Sequence, residues 1–159
     1  MNSKQMGDNA ESRFLRICSA NSLPVTKSNE QQDKFEHWDF LVDGKRVEVK
    51  SRKKAKRSDD NVDDSIVYVE FRNVKGDIGW LYGQADLIAF ERPEGFALVS
   101  RTKLKTLSET LVGDNWATRP TLYKRYHRRD RPDECVGLIK YADLIQLPYL
   151  ILKEDKSND

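Results

Sequence analysis

Polar and apolar positions alternate most regularly in the run His37-Trp38-Asp39-Phe40-Leu41-Val42-Asp43-Gly44-Lys45-Arg46-Val47-Glu48-Val49-Lys50-Ser51-Arg52. Two alternating segments flank Asp43-Gly44. That dipeptide suits a two-residue type I′ turn, in which both central residues need φ > 0. Such a turn pairs Val42 with Lys45, Leu41 with Arg46, Phe40 with Val47 and Asp39 with Glu48. Alternation then places Trp38, Phe40, Val42, Val47 and Val49 on one face. Asp39, Leu41, Arg46, Glu48 and Lys50 fall on the other. Directly opposed residues have Cβ atoms about 4.5–5.5 Å apart, so Asp39 and Glu48 repel unless a positive group joins them.

The remaining pattern predicts helices on either side of a run of strands. Phe14, Leu15, Ile17 and Cys18 form a helical apolar stripe over about residues 9–21, with Asp8 as cap and Glu11 three residues later. Glu11 reads either as a capping glutamate or as a carboxylate aimed into a site beneath the helix. Leu23-Pro24 ends that helix, and Thr26 to Lys34 reads as a polar loop. Strands are predicted over 65–72, 85–90, 96–99 and 136–139. Trp80-Leu81-Tyr82 reads as a short strand or helical turn. Ser100 caps a helix over 101–112 with Leu104, Leu107, Leu111 and Val112 inward. Residues 114–134 read as irregular and basic, 141–147 as a short helix, and the tail from Lys153 as frayed. The predicted class is α+β or mixed α/β, a central mixed β-sheet with helices on its faces.

Composition narrows this little. The 159 residues carry 28 Lys or Arg and 26 Asp or Glu, a net charge of +2 that selects no partner by itself. The length suits a single domain, 1–159, with a basic C-terminal extension from about residue 114. Cys18 and Cys135 lie far apart and read as reduced thiols. No apolar run approaches the ~20 residues of a membrane span, and the polar N-terminus lacks a signal-peptide core. A soluble, cytoplasmic protein is expected.

The distribution of charge is more informative. Arg52-Lys53-Lys54-Ala55-Lys56-Arg57 follows the hairpin directly, and Asp59, Asp60, Asp63 and Asp64 then reverse the sign. A second cluster, Tyr123-Lys124-Arg125-Tyr126-His127-Arg128-Arg129-Asp130-Arg131, interleaves basic and aromatic residues. Each cluster reads either as a solvated loop or as a contact for a polyanion. In the second, the tyrosines are candidates for stacking on bases.

Asp39, Glu48 and Lys50 form the main candidate constellation. Mg²⁺ takes oxygen ligands and commonly uses one or two carboxylates plus water and phosphate. Asp39 and Glu48 can supply two ligands, and the Val49 carbonyl a third if that edge of the ladder is irregular. Lys50 on the same face can hold a water or offset charge on a phosphoryl group. His37, Glu70 and Asp86 are weaker candidates, read first as packing or solvated residues. No Cys/His spacing suggests zinc, and there is no nucleophile elbow or glycine-rich phosphate loop.

Trp38-Asp39 followed by Glu48-Val49-Lys50-Ser51 resembles the PD-(D/E)XK nuclease superfamily, with Trp38 where the family name has Pro. The resemblance covers roughly residues 9 to 112 and implies a restriction-endonuclease-like αβββαβ core. It implies a metal-dependent DNA endonuclease using Mg²⁺ or Mn²⁺, with Asp39, Glu48, the Val49 carbonyl and Glu11 at the metal and Lys50 positioning water. Arg52, Lys53, Lys54, Lys124, Arg125, Tyr126, Arg128 and Arg129 are then expected to hold DNA. Two alternatives stay open. One is a structure-specific enzyme such as a Holliday-junction resolvase, for which a homodimer is expected. The other is a non-catalytic nucleic-acid-binding module on the same fold.

Overall fold

The computed structural model describes residues 2–54 and 59–155. Lys56 and Arg57 of the first basic cluster lie outside the described residues. The chain folds as a mixed α/β structure around two sheets. Its elements are α1 (Ser3–Ala20), β1 (Val25–Lys27), β2 (Phe40–Val42), β3 (Lys45–Lys50), β4 (Ile66–Arg72), β5 (Leu87–Arg92), β6 (Gly95–Ser100), α2 (Arg101–Val112), β7 (Arg125–Arg128), β8 (Arg131–Lys140), α3 (Tyr141–Leu144) and β9 (Tyr149–Lys153). A π-helical turn spans Gln32–Glu36 and a 3₁₀ turn Trp80–Tyr82. Among the described residues, no helix is long and apolar enough to cross a membrane.

The larger sheet has six strands in the order β1-β2-β3-β5-β6-β9. It is mixed, because β3 and β5 run parallel while its other neighbours are antiparallel. The smaller sheet is β4-β8-β7, antiparallel throughout. Here the expectation of one central sheet is corrected. The strand at 66–72 leaves the β3–β5 sheet and pairs with β8 instead. Parallel neighbours need a crossover, most often a helix. In this chain the crossover between β3 and β5 carries β4 and the Trp80 turn.

Two apolar layers follow from the alternation. One face of the large sheet packs Phe40, Val47, Val49, Ala89 and Phe96 under Phe14 and Ile17 of α1. The second core joins Ile88, Phe90 and Val99 to Val69, Phe71 and Ile139 of the small sheet, with Leu104 and Val112 of α2. Helix α1 buries Ala10, Phe14, Ile17 and Cys18, which share one helical face. Leu15, expected in that stripe, lies off it and is exposed. The helix starts earlier than Asp8. Asn2 and Gln5 make a capping box whose side chains satisfy each other's backbone N–H. Ser100 does cap α2, accepting from the Lys103 N–H.

Three strands fall where none was expected. β1 is a short edge strand with two exposed residues of three. β9 is the opposite edge, paired only with β6. β7 and the start of β8 occupy the stretch expected to be irregular. Their outward residues are charged, which masks the buried Tyr126, Cys135 and Val136 between them.

Candidate active site

The site begins with the hairpin. Asp43 and Gly44 have φ of 47° and 82°, so the turn is the two-residue left-handed type that the dipeptide favours. Pairing follows as Val42 with Lys45, Leu41 with Arg46 and Phe40 with Val47. The ladder then ends. His37 adopts a left-handed φ of 58°, and the Asp39 N–H donates to the carbonyl of Val47 at 2.8 Å. The expected direct opposition of Asp39 and Glu48 is therefore corrected: Asp39 stands one step outside the regular register. The same irregularity sends Trp38 into the core with Trp80 and Phe90, away from the Phe40 face where alternation had placed it. The carboxylates still meet, because the Asp39 side chain reaches over β3. Its Oδ2 accepts the Val49 N–H at 2.7 Å, and its carboxyl lies within hydrogen-bonding reach of Glu48.

Both acids are nearly sealed from water, with Asp39 7% and Glu48 6% exposed. Burial, then the Glu48 charge, pushes the Asp39 carboxyl up to about 8. Burial also raises Glu48, against the opposing pull of Lys50. The Lys50 ammonium sits 3.3 Å from Glu48 Oε1 and 5.2 Å above the Trp80 ring. Burial would lower Lys50, but the charges of Glu48, Glu70 and Asp39 outweigh it and hold the ammonium above its ordinary value. The set thus has two carboxylates and one ammonium. Gly79 lets the Trp80 turn press onto β4, since a Cβ there would overlap the Glu70 carbonyl.

Glu11 reaches the edge of this set from α1. Burial and then the Asp39 charge push it up to about 7, and Lys27 lies 3.9 Å away. Among the described residues, no three His, Cys, Asp or Glu side chains converge in the arrangement of a complete metal cage. The Val49 amide, held by Asp39, is the part of that residue tied to the site.

Lys50 opens onto a groove of 1320 Å³ between the exit of β3 and the small sheet. Arg52 and Lys53 line one wall, and Glu70, Tyr126 and Arg128 line the other. Asp39 and Glu48 lie behind Lys50 rather than on the groove surface. The basic residues divide into committed and uncommitted ones. Arg52 is paired with Asp64 at 2.8 and 2.6 Å. Lys53 is pushed down to about 8 by burial and by Lys50 and Arg128. Arg125 donates to the Gly113 carbonyl at 2.7 Å and lies 3.9 Å over the Phe71 ring, so its role is to hold the sheet. Arg128 pairs with Glu134, itself 3% exposed. Tyr126 is 4% exposed and packs edge-on against Tyr68, so its ring face is not available for a base. Lys54 is half-buried at the groove, while Lys124 and Arg129 are exposed.

Other sequence candidates resolve into structure. Asp86 accepts the Arg46 N–H at 2.8 Å and pairs with its guanidinium at 3.3 Å. His37 packs against Gly83, at the left-handed bend before Asp39. Glu70, by contrast, joins the site. It accepts the Trp80 N–H at 3.3 Å, and burial raises its carboxyl against the pull of Lys50. Trp80 and Glu134 were missed because no local pattern ties them to Lys50.

The chain matches no protein-family model, no curated protein and no solved structure.

Proposed function

We propose that this protein is a metal-dependent nuclease that hydrolyses phosphodiester bonds in DNA. The observation that carries the reading is the buried Asp39–Glu48 pair with Lys50 between it and a basic groove. Two buried carboxylates with one ammonium leave an excess negative charge. A low-dielectric setting tolerates such charge poorly unless a proton or a cation is added. The donors are hard oxygens, which suits Mg²⁺ or Mn²⁺. The spacing Asp39…Glu48-Val49-Lys50, similar to the PD-(D/E)XK pattern, supports the same reading.

Asp39 and Glu48 would hold the metal, and the resemblance adds the Val49 carbonyl and Glu11, although no three acidic side chains form a metal cluster among the described residues. Bound there, the metal would polarise a phosphoryl oxygen and acidify a water. Lys50 stays protonated next to Glu48, so it is a donor rather than a general base. Its ammonium hydrogen-bonds a non-bridging phosphate oxygen or the attacking water and offsets the charge that develops there. The Trp80 ring beneath it restricts its swing. Lys53, Lys54 and Arg129 attract the backbone, while Arg52 and Arg128 shape the walls through Asp64 and Glu134.

The test is incubation of the full chain with plasmid, linear and branched DNA in Mg²⁺, Mn²⁺ or EDTA. Cleavage that needs metal and drops at least ~100-fold in both Asp39→Asn and Lys50→Ala is the expected result. Cleavage of branched DNA alone selects the junction-resolving variant. Tight binding with no cleavage under any metal refutes the nuclease and leaves the binding module.

A further inference from the structure

The second basic cluster holds an aromatic feature that the proposed chemistry does not use. Trp116 and His127 stack face to face, with ring centroids 4.9 Å apart and an interplanar angle of 26°. Trp116 is 47% exposed, and His127 is exposed as well. Apolar burial accounts for only part of this stack, since about half of the indole faces water.

The pair is nonetheless held firmly. The Ala117 N–H donates to the Arg125 carbonyl at 2.8 Å, and the Arg125 N–H donates to the Asn115 carbonyl at 2.7 Å. Trp116 thereby extends the small sheet beside β7. Its indole N–H is fixed on Asp114 at 3.0 Å, and His127 Nδ1 lies 3.1 Å from the Glu134 carbonyl. A tryptophan anchored on both sides and left half in water costs little further entropy when another ring stacks on it.

The surroundings are mostly cationic, although Asp114 holds the indole and Asp130 lines the same groove. His127, Arg119 and Arg129 line the mouth of the groove that reaches Lys50. Arg119, Lys124 and Arg129 are exposed, and their side chains have no hydrogen-bond or ion-pair partner among the described residues. Their neighbours Arg125 and Arg128 are tied to Gly113 and Glu134. Uncommitted cations beside a rigid aromatic face match a strand that offers both phosphates and an open base. Duplex interiors offer phosphates and groove edges but no open base face, because their bases are already stacked.

We infer that the Trp116–His127 pair is a stacking platform for an unpaired base, with Arg119 and Arg129 on the adjoining phosphates, so that the groove takes single-stranded DNA or a single-stranded flank of a duplex. This rests on the nuclease reading for the kind of polymer bound, and it adds which form of DNA is recognised.

The test uses the full chain in EDTA, where binding is separated from cleavage. A fluorescein-labelled 12-nucleotide oligo-dT is titrated by anisotropy, with covalently closed duplex circles as competitor. Trp38 and Trp80 are buried, so emission at the red edge reports Trp116. The expected result is quenching by oligo-dT and not by the circles. Trp116→Ala should weaken oligo-dT binding ~5- to 150-fold, the range one stacked base supplies, and leave binding of the circles within ~2-fold. Trp116→Phe should recover most of the loss. Equal oligo-dT binding by wild type and Trp116→Ala, or equal losses for both DNA forms, overturns the platform. Metal-dependent cleavage with no Trp116-dependent binding removes the platform and keeps the nuclease. Trp116-dependent binding with no cleavage does the reverse.

Discussion

Two glutamates are buried among the described residues, and their company differs. Glu134 on the small sheet has Arg128 and Arg131 within ion-pair distance, so its charge is more than matched. Glu48 on the large sheet shares one lysine with Asp39, and its site carries surplus negative charge. Matched burial makes a brace: it fixes β7 against β8 and gives the groove a rigid wall. Unmatched burial makes a demand, which either a proton or a cation satisfies. Burial of an acid therefore does not by itself mark a functional position; the balance of its neighbours does.

Substitutions that neutralise each acid should pull the two sites apart. Asp39→Asn is expected to abolish metal-dependent cleavage, as above, yet to make the fold more stable at alkaline pH. The sign follows from linkage. The Asp39 carboxyl is raised from 3.8 to about 8, so the folded state holds a proton that the unfolded state releases. Its contribution is fully present below pH 3.8 and is lost as pH rises towards 8. Asparagine removes that loss and can still accept the Val49 N–H. Thermal melts from pH 5 to 8.5 should show a steeper alkaline decline in wild type than in the variant. A parallel decline would remove the claim that the pair is electrostatically strained.

Glu134→Gln should act in the opposite direction. It leaves two arginines without their acid and is expected to cost about 2 kcal/mol, reduced from a fully buried case because both arginines are partly exposed. Urea unfolding at pH 7.5 measures it; a stability equal to wild type would erase the distinction between the two glutamates. Smaller still, Mg²⁺ at ~10 times its dissociation constant should stabilise wild type by about 1.4 kcal/mol, a few degrees in Tm. Asp39→Asn should show almost none of that shift. If both respond alike, the ion acts elsewhere on the protein.

The hairpin could be read from local residues because its turn and alternation are local. Asp43-Gly44 demands left-handed backbone, and the Phe40–Val47 pairing follows from it. The displacement of Asp39 could not be read that way. It depends on His37 bending the chain and on Trp38 finding Trp80 and Phe90, both distant in sequence. The small sheet stayed hidden for a related reason. β4 pairs with β8 across nearly half of the chain's length, and the arginines of β7 resemble loop residues until Tyr126 is seen to be buried. Tyr126 looked like a stacking residue, whereas exposed Trp116 carried no local signal until backbone bonds brought it to His127. Glu11 lies beside the buried face of α1, well inside a helix that begins at Ser3, and its ion-pair partner is Lys27.

The path of the chain between β3 and β5 bears on how the groove assembles. Those strands are parallel neighbours, yet the segment joining them contributes a strand to the other sheet and must wait for β8. The β2–β3 hairpin closes over two residues and can form early, whereas pairings between distant segments carry a larger loop-closure cost and slow folding. Asp39, Glu48 and Lys50 sit on or beside the early unit, and the opposing wall belongs to the late one. A chain emerging from synthesis would thus own its hairpin first, and Asp39 would settle over Val49 only once Trp38 meets Trp80 and Phe90.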